Sequence, residues 1–375
     1  MIYLDYSANT PVDTRVLEQF CAVERRCIGN ANSHHQAGSA AKAEIDAATI
    51  KIASLLGVQP AEIIYTSGAS EANNFALKGL ARLSRHAGRH IISTPLEHSS
   101  VSGTLTALQE QGYEIDLLDV KQDGTVDLEH LKDLLRPDTI CVAITLVDSE
   151  LGVVQPVQEI AAILKAYPHC HLHVDATQAV GKIPVSFEGV DTMSLTAHKF
   201  YGLNGIGLLI KRRNLALEPL IHGGESTTIY RSGTPTVALA SSLACALDLA
   251  VTDLPGRVDH VAKLNAELRA ALSTYPLVRI NSPDHAIPHV LNLSVQNVKG
   301  TVFQRELDAK GVCVSVKSAC SSDGLPSRAV FAVSRDRRNA LSSWRISLSH
   351  LTTEDEIKAF LQAFDVCYRE LTAVH

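Results

Sequence analysis

HCHLHVDATQ, residues 169–178, is a short strand-like run that ends in an acid followed by polar residues. Similar short runs recur along the chain as EIIYTSG (62–68), RHIISTPLEHSS (89–100), TICVAITLVDSE (139–150) and GIGLLIK (205–211). Between them lie stretches with apolar residues at helical spacing, such as AAKAEIDAATIKIASLLG (40–57), which stops at a glycine. Short buried strands that alternate with helices form a mostly parallel sheet covered by helices, so this pattern predicts a doubly wound α/β fold.

The alternation changes near residue 255, which indicates a second folding unit. A long amphipathic stretch (253–276) is followed by a strand-like run (289–297), a helical run (301–311) and another strand-like run (345–351). The chain has 375 residues, more than a single domain usually holds. We therefore predict a large α/β domain over residues 15–255 and a smaller α+β domain formed by residues 1–14 and 256–375.

Composition and charge argue against several classes of function. The net charge of −6 includes no long run of one sign, which argues against direct nucleic-acid binding. No uninterrupted apolar run approaches the roughly 20 residues that span a bilayer, and the first residues form no basic leader, so we expect a cytoplasmic protein and no membrane partner. The eight cysteines form no CxxC pair and no cluster with histidine, so no metal site is expected.

Polar side chains follow several of the predicted strands at the point where each strand ends. Ligands of open α/β sheets bind beyond the carboxyl ends of the strands, so these side chains are expected around one crevice. They are Ser70, His98, Asp175, Gln178, Thr196, His198 and Lys199. Taken singly, each has a commoner explanation, such as a helix cap for Asp175 or a solvated surface charge for Lys199. Their joint order along the chain is more specific.

This order suits an anionic aldehyde cofactor with an electron-withdrawing ring. The SGAS turn (67–70) before a predicted helix offers backbone N–H groups and a hydroxyl to a phosphate. A buried Asp175 needs a cationic partner, which a protonated pyridine nitrogen supplies, and a desolvated Lys199 can bond an aldehyde. Phosphate turn, ring histidine, acid and lysine follow one another as in the fold-type I enzymes that use pyridoxal 5′-phosphate, which the chain resembles.

A closer resemblance covers nearly the whole chain. It rests on YLDYSANTPVD (3–13), GNANSHHQAG (29–38), TSGASEANN (66–74), LEHSS (96–100), HVDATQAVGK (173–182), TAHKFYG (196–202), YRSGTP (230–235), SACSS (318–322) and WRISLSHLTTEDEI (344–357). With these motifs the sequence resembles the cysteine desulfurases of the NifS type. The resemblance implies a fold-type I architecture, with a mostly parallel seven-stranded sheet in the large domain and a smaller α+β domain.

The resemblance also implies roles for the residues around the cofactor. Lys199 would be the Schiff-base lysine and the base that moves the Cα proton, Asp175 would hold the pyridinium proton, and Gln178 would bond the phenolic oxygen. His98 would stack on the ring. The phosphate would be held by residues of two subunits, which implies a homodimer: Ser70, Thr196 and His198 of one subunit, and Thr234 reaching over from the other.

The implied reaction takes sulfur from L-cysteine and releases L-alanine. Arg345 and Ser149 would bind the substrate, Arg345 through a bidentate contact with its carboxylate. The thiolate of Cys320 would attack the substrate sulfur and keep it as a persulfide for an acceptor protein. Because an ordinary thiol, with a pKa of about 8.5, is mostly protonated at neutral pH, a nearby cation such as Lys317 would be needed.

Several substrate-side positions depart from the family pattern. Ser149 stands where the family motif NNEIG has an asparagine, GGEST (223–227) replaces GGGQE, GLNG (202–205) replaces GPKG, and Lys317 replaces a glycine. Since the cofactor residues are intact, we expect a cofactor-bound desulfurase that is slow alone and serves a specialised acceptor. The basic cluster RDRR (335–338) is interpreted as a solvated face, with docking of an acidic partner as the alternative.

Other functions remain open from the sequence. A selenocysteine lyase or another transaminase-like enzyme would use the same cofactor, and transamination would not require Cys320. A weak scaffold for a sulfur-trafficking or DNA-modification partner would form no persulfide. The acceptor pathway is likewise open among iron–sulfur cluster assembly, tRNA thiolation and DNA phosphorothioation.

Overall fold

The computed structural model describes residues 1–317 and 324–373. The strands of this part of the chain are β1 Ile2–Tyr3, β2 Ile63–Thr66, β3 His90–Ser93, β4 Glu114–Leu117, β5 Thr139–Thr145, β6 His171–Asp175, β7 Thr192–Thr196, β8 Gly207–Lys211, β9 Val278–Ile280, β10 Val290–Val295, β11 Val312–Cys313 and β12 Ser343–Ser347. The helices are α1 Thr14–Arg26, α2 Gln36–Leu56, α3 Ala69–Leu83, α4 Ser99–Gln109, α5 Leu128–Leu134, α6 Val157–Leu164, α7 Val237–Thr252, α8 Leu254–Leu272, α9 Gly300–Ala309, α10 Arg328–Ser334, α11 Arg337–Ser342 and α12 Glu354–Thr372.

A seven-stranded sheet forms the centre of the molecule, in the order β2-β8-β7-β6-β5-β3-β4. All its neighbouring strands are parallel except β8, which runs antiparallel to both β2 and β7. The predicted α/β class and mostly parallel seven-stranded sheet are therefore confirmed. The carboxyl ends of β3, β5, β6 and β7 meet at one edge, as parallel strands require.

Local sequence explains where the helices that flank this edge begin and end. Helix α2 ends at Gly57, whose φ of 66° lies in the left-handed region that closes many helices. Helix α3 begins directly after Gly68, at the end of β2. The approach between Gly68 and Gly207 on β8 is very close, because a Cβ added to Gly207 would lie 2.7 Å from the Gly68 Cα. Side chains are excluded at that contact.

A second hydrophobic cluster lies outside the large sheet. It contains Leu4 of the N-terminal segment together with side chains from α8, α9, α12 and the antiparallel sheet β12-β10-β9. Trp344 stacks on Phe303 with ring centroids 5.1 Å apart. Strand β1 pairs in parallel with β11, so the first residues of the chain join the C-terminal part. This pairing supports the proposed division into residues 15–255 and residues 1–14 with 256–375.

Two features of the described residues bear on membrane and metal binding. No single helix in residues 1–317 and 324–373 is long and apolar enough to cross a membrane, although α7 and α8, bent by 64° at their junction, meet the length and composition criteria as a pair. Nor do these residues contain a group of three histidine, cysteine, aspartate or glutamate side chains that could hold a metal ion.

Candidate active site

A cavity of about 350 Å³ lies at the carboxyl edge of the large sheet. It brings together nine side chains that the sequence predicted to form a site: Ser70, His98, Ser149, Asp175, Gln178, Thr196, His198, Lys199 and Arg345. Eight of them come from the large sheet and its connections, while Arg345 comes from β12. Ser7 and Ala8, from the N-terminal segment, also line the cavity.

Thr234 is not among the residues that line this cavity. Thr234 lines a neighbouring cavity of about 220 Å³, which shares Ser67 with the first. Cys320 lies outside the described residues. Lys317, just before that segment, donates a hydrogen bond from Nζ to the Leu325 carbonyl oxygen at 3.2 Å, so it contacts a residue that follows the segment.

Asp175 ends β6 and is almost fully buried, with 3% of its surface exposed. Its Oδ1 accepts the backbone N–H of Thr177 at 2.9 Å, and its Oδ2 accepts the side-chain amide of Asn73 at 2.8 Å. Both oxygens therefore accept hydrogen bonds, as an ionised carboxylate does. A buried anion of this kind needs a cationic partner, and the cavity is where one can be placed.

Asn73 and His173 form a polar layer behind Asp175 that the sequence analysis did not identify. Asn73 Oδ1 accepts from His173 Nε2 at 2.9 Å and from the Ser194 hydroxyl, which fixes the amide so that its nitrogen faces Asp175. The same nitrogen lies 2.9 Å from Ser100 Oγ. Burial is the main cause that lowers the pKa of His173 to about 4, so its ring is neutral at neutral pH.

His98 is held at the first turn of α4 by its own ring nitrogen. Its Nδ1 accepts the backbone N–H of Ser100 at 3.1 Å and lies 2.9 Å from Ser100 Oγ. This pattern assigns the ring proton to Nε2. Burial is the largest cause of the lowered pKa of His98, with a smaller contribution from the Lys199 charge, so the ring is neutral and suited to stacking. Since Ser100 also bonds Asn73, the orientation of His98 is linked to that of Asp175.

Lys199 ends a 3₁₀ turn, Ala197–Lys199, that follows β7. Its Nζ donates to the backbone carbonyl oxygens of Ser7 at 2.7 Å and Ala8 at 2.6 Å. Its neighbour His198 lies 3.1 Å from Thr196 Oγ1 through Nδ1. Burial, followed by the charges of Lys199 and Lys182, lowers the pKa of His198 to about 4.

The turn that begins α3 is suited to an anionic group. Ser67, Gly68, Ala69 and Ser70 all line the cavity. The first N–H groups of a helix have no partner inside the helix and carry partial positive charge, and here they are at the cavity wall. No side chain caps them, because the residue before the helix is Gly68.

Arg345 is a buried guanidinium, 1% exposed, that also lines the cavity. Its Nη1 donates to the Ser149 carbonyl oxygen at 2.6 Å, and its Nη2 pairs with Asp5 Oδ1 at 3.0 Å. Within the described part of the chain, Arg345 Nε, Ser7 Oγ and Thr177 Oγ1 are buried and lack a hydrogen-bond partner. All three belong to cavity-lining residues, so the cavity suits a polar ligand.

Gln178 and Lys182 form a further pair that joins the cavity to its surroundings. Gln178 Nε2 donates to the Ser7 carbonyl oxygen at 3.0 Å, and Lys182 Nζ donates to Gln178 Oε1 at 3.0 Å. The role of Lys182 was not predicted from the sequence. A signal was present, because it stands four positions after Gln178, a spacing at which side chains meet within a helical turn.

The layer behind Asp175 gives a first testable prediction. We expect Asn73→Ala to weaken the affinity for pyridoxal phosphate about tenfold, because Asp175 loses a buried hydrogen bond that a charged acceptor makes strong. Spectroscopic titration of the apoprotein with the cofactor measures this. Asn214→Ala, at an exposed asparagine, is the control and should leave the affinity unchanged. Equal affinity of Asn73→Ala and the parent protein would contradict the role of this layer.

Comparison with known proteins agrees with this geometry. The family model described as aminotransferase class-V matches residues 2–360. The cysteine desulfurase IscS of Proteus mirabilis (strain HI4320) is 40% identical over 365 residues, which cover 95% of this chain and 90% of that protein. A solved structure of SspA in complex with cysteine, 31% identical, superposes with a TM-score of 0.82 over 94% of this chain and 100% of that one.

A solved structure described as a NifS-like protein matches more closely in shape. It has a TM-score of 0.91 and 36% identity, over 97% of this chain and 98% of its own. The fold-type I architecture expected from the sequence is thereby confirmed. The sequence motifs, the family match and the fold agree along almost the entire chain, which therefore belongs to the NifS-like proteins of the class-V aminotransferase family.

Proposed function

We propose that this chain is a pyridoxal phosphate-dependent cysteine desulfurase. It removes sulfur from L-cysteine, releases L-alanine and places the sulfur on Cys320 as a persulfide for an acceptor protein. The observation that carries the proposal is the meeting of Lys199, Asp175 and His98 in one cavity that a buried guanidinium, Arg345, also lines. The relatives named cysteine desulfurase, and the cysteine bound to SspA, support the choice of substrate.

The residues of the cavity fit the cofactor. Asp175, which accepts at both oxygens, would hold a pyridinium N–H, and the open first turn of α3 would hold the phosphate. The Gln178 amide nitrogen and the neutral ring of His98 would contact the cofactor ring. When bound, pyridoxal phosphate supplies an electron sink for the pair of electrons left when the Cα–H bond breaks.

Lys199 and Arg345 would handle the amino acid itself. Arg345 would bind the carboxylate, using the guanidinium that now bonds Asp5 and the Ser149 carbonyl oxygen. Once displaced from the cofactor, the Lys199 amine would accept the Cα proton. At Ser149 the family has a longer amide side chain, so a water would have to bridge the gap. That difference supports the proposal of an enzyme that is slow by itself.

Sulfur transfer would then balance as a displacement at sulfur, with the Cβ of the substrate as the leaving group. The Cys320 thiolate attacks the sulfur of the substrate, an S–S bond forms and the S–Cβ bond breaks. The electron pair of the broken bond stays on the carbon, which takes up a proton to become the methyl group of alanine. Lys317 would favour the thiolate, since it stands three positions before Cys320 in the sequence and carries a cationic amine.

Incubation with L-cysteine tests this proposal. We expect intact-mass and peptide analysis to find one added sulfur on Cys320, together with release of alanine. Cys320→Ala should lower alanine release at least about 100-fold while cofactor binding is kept, since the acceptor of the sulfur is gone. Cys21→Ala, at a half-buried cysteine of α1, is the control and should behave as the parent.

Two other outcomes would contradict the proposal in different ways. Full turnover by Cys320→Ala would indicate transaminase-like chemistry, which has no need of the thiol. Cofactor binding without any persulfide or alanine would indicate a scaffold. A selenocysteine lyase would be recognised by faster turnover of L-selenocysteine in the same assay.

The partners belong to the same proposal. A homodimer follows from the family resemblance, in which Thr234 would reach the partner's phosphate. Within its own chain, Thr234 lines the cavity that shares Ser67 with the first. The acceptor would be a sulfur-carrying protein, and the protein would work in the cytoplasm. In the cluster 335–338, Arg335 is exposed and lies 3.6 Å from Asp119, while Arg337 and Arg338 are exposed, as expected for a solvated face.

A further inference from the structure

Lys182 is a buried lysine beside the cavity to which the proposed reaction assigns no task. It follows β6 by seven residues and has 6% of its surface exposed. Its Nζ donates a hydrogen bond to Gln178 Oε1 at 3.0 Å. A buried amine is costly, and an apolar residue of similar volume would pack there without that cost. Its presence calls for a physical reason.

Lys182 and Lys199 stand at the two ends of one hydrogen-bonded chain. Lys182 bonds the oxygen of the Gln178 amide, and the nitrogen of that amide bonds the Ser7 carbonyl oxygen at 3.0 Å. Lys199 bonds the same Ser7 carbonyl oxygen at 2.7 Å. Successive hydrogen bonds polarise one another, so a donor at the amide oxygen strengthens the amide N–H as a donor.

The surroundings of Lys182 are basic. A small cavity is lined by Lys182 and Lys199 together with His289, His350 and Arg257. Burial, and then the charges of Lys199 and Arg345, lower the pKa of Lys182 to about 7. Burial is also the first cause that lowers the pKa of His289, to about 3, and that of His350, to about 4. An amine can donate in either protonation state, so the bond to Gln178 does not depend on charge.

We propose that Lys182 is a positioning residue for the cofactor site, which holds the Gln178 amide by its oxygen and so presents the amide nitrogen to the cavity. The inference rests on the proposed function, because it concerns the ring oxygen of the cofactor. Gln178 has two N–H bonds on that nitrogen. One is used by Ser7, and the other is left for a ligand in the cavity that Gln178 lines.

Two other roles for Lys182 make different predictions. If Lys182 acted directly on Lys199 through its charge, removing Lys182 would change the affinity for pyridoxal phosphate by the same factor with or without the Gln178 side chain. If Lys182 only supported the fold, removing it would lower the temperature of unfolding. The positioning role requires that its effect pass through the Gln178 side chain, which a double-mutant cycle measures.

The test compares the parent protein with Lys182→Met, Gln178→Ala and the double variant. We expect each single change to weaken the affinity for pyridoxal phosphate about tenfold, measured by spectroscopic titration of the apoprotein. The double variant should bind within about twofold of Gln178→Ala, because both changes remove one interaction. Lys165→Met, at an exposed lysine, controls for loss of a lysine and should not alter the affinity. If the loss of affinity in the double variant equalled the product of the two single losses, the inference would be overturned.

Thermal unfolding of the apoproteins separates positioning from support of the fold. We expect Lys182→Met to unfold at the same or a higher temperature, since a buried amine among basic groups is replaced by an apolar chain. Lower unfolding temperatures in both Lys182→Met and the milder Lys182→Gln, with cofactor affinity unchanged, would overturn the inference. Failure of the parent protein to bind the cofactor at all would instead overturn the proposed function.

Discussion

Lys199→Ala is expected to lose the visible absorption of the bound cofactor and to lower alanine release at least about 1,000-fold. The reason is that one amine performs two tasks, bonding the aldehyde and moving the Cα proton. The structure supports this placement, because Lys199 Nζ lies at the cavity wall on the carbonyl oxygens of Ser7 and Ala8. Absorption spectra measure the loss of bound cofactor. Chromatographic quantification of alanine measures the loss of activity.

A control variant and the addition of an external amine test whether these losses come from the missing Lys199 amine. Lys165→Ala removes an exposed lysine and should keep both the spectrum and the rate. Added methylamine should restore part of the activity of Lys199→Ala, since it supplies the missing amine within an otherwise intact cavity. A Lys199→Ala protein that keeps its colour and turns over at the parent rate would show that the amine is placed elsewhere.

Asp175→Asn is expected to have the second largest effect, a loss of about 100-fold or more in alanine release. The replacement keeps the shape but removes the negative charge, so a pyridinium proton is no longer stabilised. Its amide also has only one acceptor oxygen for the two donors, the Asn73 amide and the Thr177 N–H. The cofactor should still bind through Lys199 and the phosphate turn. Its absorption spectrum should then change with pH in a range where that of the parent does not.

Two further variants show whether the effect of Asp175→Asn comes from its charge. Asp133→Asn, at an exposed acid, should match the parent in rate and spectrum. Asp175→Glu keeps the charge but displaces it, and we expect a rate between those of the parent and Asp175→Asn. If Asp175→Asn turned over within about twofold of the parent, the carboxylate would be a structural group and its pairing with the ring would be wrong.

The sequence predicted the fold because its short strands are buried and end in recognisable residues. Strands β5, β6 and β8 coincide with the runs read from the sequence, and α2 ends at Gly57 as its glycine indicated. Strand β4 was not predicted. It lies at the edge of the sheet, where partly exposed side chains give neither a continuous apolar run nor a clear alternation.

The site was predictable as far as it depends on the ends of parallel strands. Asp175 ends β6, Thr196 ends β7 and Lys199 ends the turn directly after β7, so the sheet itself brings them to one edge. Ser7 could not be placed there from the sequence, because its contact with Lys199 joins residues far apart in the chain. Such a contact depends on how the N-terminal segment packs, which no local pattern describes.

Asn73 could have been predicted as a site residue, because the sequence contains a local signal for it. It stands three positions after Ser70 on α3, so both side chains lie on the same face of one helix. A residue that shares a face with a cavity-lining hydroxyl is a candidate for contact with the buried acid. His173 gave no such signal, since a histidine within a buried strand shows only in three dimensions that it bonds Asn73.

Reduction of the cofactor-loaded protein with borohydride, followed by peptide mass analysis, tests the account most directly. The reduction makes the bond between the cofactor and its lysine permanent, so the modified residue can be read from the fragments. We predict the added pyridoxyl phosphate on Lys199. A modification on Lys182, the buried lysine beside the cavity, or on no lysine at all would contradict the account.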